Sequence, residues 1–195
     1  MEIDALALAR RLCIAVGEPE GEAAIAATLA RFGAPALRFA RKHRIAVRPL
    51  SSGERFDAAS AALVRLRIDV DAWPAPPAGL FVVEERCVYL RSRSPMTVAH
   101  EFGHALDCAL GGGVYRSGIA PAVRDAFAHA TRFVTPYAAT GLDEYFAEGL
   151  RAYVEINDAG SPWPRATRAR LAAIDPELHA YIAALFHGGF EAEAA

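Results

Sequence analysis

The sequence predicts an α+β domain, a small twisted sheet beside a mostly helical remainder. Three patterns predict it. The first third is dominated by alanine, the best helix former. The stretch LFVVEERCVYLRS reads as two β-rich runs around a tight turn. Between them and the C-terminus, MTVAHEFGHALDC sets two histidines one turn apart in an apolar helical pattern.

Taken in order, residues 1–48 form a helical lead-in. Its segment EGEAAIAATLARFGAPALRFARKHRI is two helices broken at Gly33-Ala34-Pro35, because glycine and proline interrupt the periodicity. RIAVRPL alternates apolar and basic residues and ends in proline, as a short edge strand does. RFDAASAALVRLR returns to a helical pattern. DAWPAPPAGLF stiffens the chain ahead of the hairpin, whose turn falls near Glu84 to Arg86. Ser94-Pro95 starts a helix, serine as cap and proline at the first helical position, and Gly111-Gly112-Gly113 stops it. PAVRDAFAHATRF is a further helix. Thr140 with Asp143 is expected to cap another that runs to about Asn157. From Ser161 the tail is helical and ends in a loose HGGFEAEAA.

Composition bounds the function. With 195 residues, 53 % hydrophobic and 23 % charged, one compact domain over residues 1–195 is expected. Twenty-one basic against 23 acidic residues give a net charge of -2, so no global field draws the chain to nucleic acid or an anionic membrane, and neither is expected as a partner. The basic stretches RFARKHRIAVR and PRATRAR read as helices with arginine on a wet face. No run of 18 apolar residues is present to span a bilayer. MEIDALALARRLC opens with acids and sets Arg10-Arg11 inside its apolar run, the reverse of a Sec signal. A cytoplasmic location is expected, or export by a route that needs no Sec signal peptide. Cys13, Cys87 and Cys108 are odd in number and lack C-x-x-C spacing, as reduced thiols do.

The chemistry gathers at His100-Glu101-Phe102-Gly103-His104. Histidines four apart on a helix aim two imidazoles at one point, half of a tetrahedral zinc site. Glu101 stands beside them, placed to act as general base on a water held by one zinc ion. That pattern fits amide hydrolysis. Phe102 reads as core. Gly103 costs the helix ~1 kcal/mol relative to alanine, which makes sense where the metal or another backbone approaches closely. A third histidine six residues after His104 is missing, since that position is Leu110. His43, His129, His179 and His187 stand alone. The third ligand therefore comes from another element, and Glu144 and Glu148, one turn apart in TPYAATGLDEYFAEGLRAYV, are the candidates. Their ordinary reading is a solvated acidic face with Glu148 paired to Arg151. Asp107 follows near the face of His104 and is a candidate to orient an imidazole, while Cys108 reads as a small core residue.

HEFGHALD followed some forty residues on by a tyrosine and EYFAE resembles the catalytic domain of anthrax lethal factor and the related Pro-Pro endopeptidases. The resemblance is carried by residues 79–157, taken as the catalytic core. It implies a zincin-like metallopeptidase fold, with His100, His104 and Glu144 as zinc ligands and Glu101 as catalytic base. It further implies that Tyr137, seven residues before Glu144, stabilises the oxyanion. Glu148 matches the family's second acid, which can accept the free N–H of a ligand imidazole. The toxin's receptor-binding and substrate-recognition domains have no counterpart, so only the chemistry transfers. A zinc endopeptidase is the expected function. A regulatory protease of the ImmA/IrrE kind that cuts a repressor, and a non-catalytic binding module on a zincin fold, are the rivals. The expected partner is a peptide or protein in extended conformation along the hairpin, with CVYL as the strand that receives it.

Overall fold

Three short strands build the sheet, and the computed structural model, which describes residues 4–193, orders them β1–β3–β2. Strand β1 (Ala46–Pro49) runs parallel to β3 (Cys87–Leu90), with Val47 opposite Val88. Strand β2 (Gly79–Val82) runs antiparallel to β3, with Phe81 opposite Val88. RIAVRPL is thus an edge strand, as its alternation and proline indicate. CVYL is not the strand that can receive a peptide: it is the centre of the sheet, paired on both sides and buried at all four positions. Its side chains split by the period of two, Val88 and Leu90 into the main core, Cys87 and Tyr89 into a smaller cluster with Leu50, Phe56 and Val70. The outer side of β1 is partly covered, since Ile14 N–H donates to the Val47 carbonyl at 2.8 Å.

The lead-in contains α1 (Ala5–Leu12), α2 (Pro19–Ala30) and α3 (Gly33–Lys42). The α2–α3 break falls where expected, and Gly33 makes it with φ of 80°, a left-handed value that costs glycine little. RFDAASAALVRLR is two short helices, α4 (Phe56–Ala59) and α5 (Ala61–Leu66). Ser60 between them is extended and accepts the Leu63 N–H as a cap. Helix α6 (Pro95–Leu110) begins as its sequence dictates, with Ser94 accepting the Thr97 N–H at 3.3 Å, and ends at Gly111. Helices α7 (Arg116–Ile119) and α8 (Pro121–His129) follow.

Helix α9 (Leu142–Tyr153) departs from expectation at both ends. Its N-cap is Gly141 without a side-chain bond, because the Thr140 hydroxyl donates instead to the Tyr137 carbonyl at 2.8 Å. It stops at Tyr153 rather than near Asn157, and Glu155 just beyond has φ of 59°. Residues 161–167 are loop, and the helical tail begins at α10 (Arg168–Ile174), followed by α11 (Pro176–Ala184). Within the expected loose end, of which residues 194 and 195 lie outside those described, a kinked turn with Gly188 at φ of 119° leads into α12 (Phe190–Ala192). Phe190 is fully buried against Phe39 and Phe186, which ties the segment down.

The main core runs from Leu8 to Phe190 and sits behind α6. Phe102 is fully buried with its ring edge-on to Phe32 at 4.9 Å, so the lead-in helices brace the back of the histidine helix. Gly103 faces α9, where a Cβ would lie 3.0 Å from the Ala147 Cα and 3.2 Å from its carbonyl oxygen. Another backbone does approach closely, and that contact sets α6 against α9. No helix among the described residues is long and apolar enough to cross a membrane.

Candidate metal centre

His100 and His104 lie one turn apart on α6, and Glu144 sits in the first turn of α9. The two Nε2 atoms are 3.1 Å apart, and Glu144 Oε2 is 3.0 Å from that of His100 and 3.3 Å from that of His104. A tetrahedral zinc with bonds of ~2.0–2.1 Å separates neighbouring donors by about 3.3 Å, so these three atoms stand close to the corners such an ion needs. Glu144 Oε2 is buried and makes no hydrogen bond of good geometry, as a ligand oxygen would be without its ion. The electrostatics also favour a cation. Burial opposes protonation of His100, yet Glu144 and Glu148 hold its pKa up at about 10. Burial likewise works against ionising Glu144, and the two imidazoles hold it down at about 2. The residues present fit zinc. Among the described residues, this is the group of histidine, cysteine and acid side chains that can share one ion. His43 packs on Phe39 and His179 on Tyr153, away from it.

Glu148 shows both of its expected characters. It is paired with Arg151, but inside the protein rather than on a solvated face. Glu148 is 4 % and Arg151 1 % exposed, joined by bonds of 2.7 and 2.8 Å. The same carboxylate faces His100 Nδ1 at 3.0 Å and accepts the Thr135 hydroxyl at 2.6 Å. Burial disfavours its charge, but Arg151 and His100 hold its pKa well below the usual carboxylate range. Glu148 therefore stays an acceptor, which holds a proton on His100 Nδ1 and leaves Nε2 to face the centre, where an ion would take the place of its proton. Thr135 is a member of this group that the sequence reading missed. Its position just before Pro136 and Tyr137 was the available signal.

His104 has no such partner. Its Nδ1 is buried and unbonded. Asp107, fully buried one turn on, gives both oxygens to Ser117 instead, taking the backbone N–H at 2.8 Å and the hydroxyl at 2.6 Å. Cys108 is buried, and burial raises its thiol pKa, as for a core residue. Tyr115, also unforeseen, brings its ring within 5.8 Å of His104.

Glu101 faces the open side of the sheet. Burial lifts its carboxyl above the usual range, against the pull of His100 and His104. Gly79 explains how β2 comes so near, since a Cβ there would lie 2.6 Å from Glu101 Cγ. The Ala78 carbonyl accepts the Arg91 N–H at 2.9 Å, which makes Ala78–Arg91 a bonded pair of the antiparallel ladder. By the alternation of such ladders, Gly79 and Phe81 turn their backbone groups to the free edge beside Glu101. Tyr137 lies in a single 3-10 turn (Tyr137–Ala139), 44 % exposed, with its ring 5.3 Å from that of His100. Its hydroxyl donates to Glu144 Oε1 at 3.2 Å. Partial burial and the Glu144 charge push its pKa to about 12, so it remains a donor. A cavity of about 330 Å³ opens beside His100, Glu101 and Tyr137.

No protein-family model matches the sequence, and no curated protein matches it either. Among solved structures the chain is similar to the Pro-Pro endopeptidase PPEP-2 from Paenibacillus alvei, with a TM-score of 0.65. The match covers 91 % of this chain and 99 % of that one at 20 % identity. The likeness bears on the fold, and the α+β zincin-like architecture expected from the sequence is the one the two chains share.

Proposed function

We propose that this chain is a zinc-dependent endopeptidase. The observation that carries the reading is the meeting of His100, His104 and Glu144 at zinc-like separations, beside a buried glutamate and an open strand edge. The similar fold of a protein named as an endopeptidase supports it. His100, His104 and Glu144 would hold the ion. Zinc there would supply Lewis acidity to a water and to the scissile carbonyl, bringing the pKa of that water toward ~7.

The chain's own residues account for the rest. The outward backbone groups of Gly79 and the outward Phe81 carbonyl on β2 take a peptide in extended conformation, the role first assigned to CVYL, while the Phe81 N–H faces the Glu101 carboxylate. Glu101 accepts the proton of the attacking water as the carbon–oxygen bond forms. It then delivers that proton to the amine as the carbon–nitrogen bond breaks. The Tyr137 phenol donates to the oxygen on which negative charge develops, leaving Glu144 Oε1 to do so. Glu148 keeps His100 in the tautomer that binds.

The test is a degenerate peptide library incubated with zinc-loaded protein and read by mass spectrometry. Glu101→Gln is expected to retain one zinc per chain and lose every cleavage. Equal cleavage by Glu101→Gln would remove it as the base, and no cleavage by zinc-loaded protein would sink the endopeptidase reading.

A further inference from the structure

We infer that the cleft selects a bulky apolar side chain, the size of leucine, methionine or phenylalanine, at a residue flanking the scissile bond, and that Trp163 sets this choice. The inference rests on the peptidase reading above. The cavity beside His100 and Glu101 is walled by Pro77 and Ala78 ahead of β2, by Met96 and Thr97 in the first turn of α6, and by Trp163. A side chain that enters it belongs to a residue next to the bond over Glu101.

Apart from Glu101, the charged groups in the cavity wall are matched within the protein. Arg151 contributes to the lining, but its Nε and one terminal nitrogen are held by Glu148. Its other terminal nitrogen donates to the Ile156 carbonyl at 2.8 Å and to Asn157. With four of its five N–H groups so engaged and only 1 % exposed, this guanidinium is already matched inside the protein and offers little to an acidic substrate. Glu148 is matched in turn by Arg151, His100 and Thr135, so it recruits no lysine or arginine. Away from Glu101 and Tyr137, what the cavity offers a ligand is mostly apolar. The space of about 330 Å³ is shared with the faces of His100, Glu101 and Tyr137, and its far wall, away from them, is the apolar part formed by Pro77, Ala78, Met96 and Trp163.

The backbone that carries the indole is restrained at its base. Trp163 stands between Pro162 and Pro164, which restrict the backbone on either side. The loop is closed at its base by two bonds, Ala166 N–H to Asn157 Oδ1 at 2.9 Å and Asn157 Nδ2 to the Ala166 carbonyl at 2.8 Å. Asp158 then ties it to the start of α6, accepting the Met96 N–H at 3.0 Å and the Ser94 hydroxyl. The helix that carries His100 and Glu101 therefore also positions the tryptophan. Trp163 remains 40 % exposed, leaving apolar surface for a substrate to cover.

The experiment uses full-length chain with Glu101→Gln to stop turnover and Trp73→Phe to leave Trp163 as the sole tryptophan. Alanine-rich hexapeptides that carry leucine, phenylalanine, proline, glycine, aspartate or lysine at a scanned position are titrated against Trp163 emission. Leucine and phenylalanine peptides are expected to shift the emission and to bind on the order of tenfold tighter than the other four. In the turnover-competent chain, Trp163→Ala should raise KM for those two about tenfold with a much smaller change in kcat, and leave the glycine peptide alone. Equal binding across the series, a proline optimum, or a preference that survives Trp163→Ala would overturn the inference. Selective binding without any cleavage would refute the peptidase reading and keep the pocket, and cleavage without selectivity would do the reverse.

Discussion

His100 and His104 share a helical face, but different groups stand behind them. An anionic Glu148 backs His100, while Asp107 turns away from His104 to Ser117. The consequence for Asp107 is a pH effect on stability. Burial raises its pKa to about 6 against the two Ser117 donors, whereas an unfolded aspartate titrates near ~3.9. The folded pKa is the higher, so folding favours the protonated form. That contribution is whole below about pH 4 and is lost as pH rises through 6, a swing of at most ~3 kcal/mol. Asp107→Asn should therefore gain stability on the wild type between pH 4 and pH 7 in urea denaturation, and parallel curves would show that Asp107 does not titrate there. Tyr137 carries a different expectation. Loss of one oxyanion donor costs ~2.7–4 kcal/mol, so Tyr137→Phe should lower kcat by roughly a hundredfold or more with zinc content unchanged. An unaltered rate would leave its ring only a packing role beside His100.

At the scale of elements, the site is an α6–α9 contact with a strand edge laid against it. Two glycines permit the approaches, Gly103 toward Ala147 and Gly79 toward Glu101. On an isolated helix Gly103→Ala would gain ~1 kcal/mol of propensity. Here the new methyl meets backbone atoms at 3.0 and 3.2 Å, which cannot yield as a side chain end can, and overpacking of this kind costs ~1–3 kcal/mol. Because His104 and Glu144 lie on opposite sides of that contact, the variant should both melt lower and bind zinc more weakly. A higher Tm with full zinc affinity would show that the helices can part without disturbing the site. The strand order matters equally. β1 occupies one side of β3 and β2 the other, which leaves the outer edge of β2 next to Glu101.

Over the whole molecule, the first third packs behind α6 through Phe32 and Phe102, and every residue that lines the cavity comes at Pro77 or later. The lead-in supports the site and leaves the cleft side to the hairpin, α9 and the Trp163 loop. An ion held by both α6 and α9 would stabilise a contact at the centre of the core, so on the proposed reading zinc removal should be felt globally. At a thousandfold its Kd, zinc would add ~4 kcal/mol, and each kcal/mol moves Tm by roughly 2–4 °C in a chain of this size. Chelation of zinc-loaded protein should lower Tm by about 10 °C in calorimetry. Coincident melts with and without chelator, on protein shown to carry zinc, would place the ion away from this contact.

The sequence by itself determined what lies within one element's reach. Serine and proline started α6, the four-residue interval put His100 and His104 on one face, Gly33 broke the lead-in, and alternation marked β1 and the hairpin. Backbone periodicity fixes such relations, and residue order carries it. Tertiary structure alone decided that CVYL is the central strand, since that depends on pairing with a strand some forty residues upstream. It also turned Asp107 to Ser117, withdrew Thr140 from the α9 cap and brought Trp163 to the wall of the cavity that His100 also lines. Each of these is a choice among competing partners far apart in the chain, settled by which surfaces must be buried together. A local pattern names the candidates, but only the packed fold can rank them.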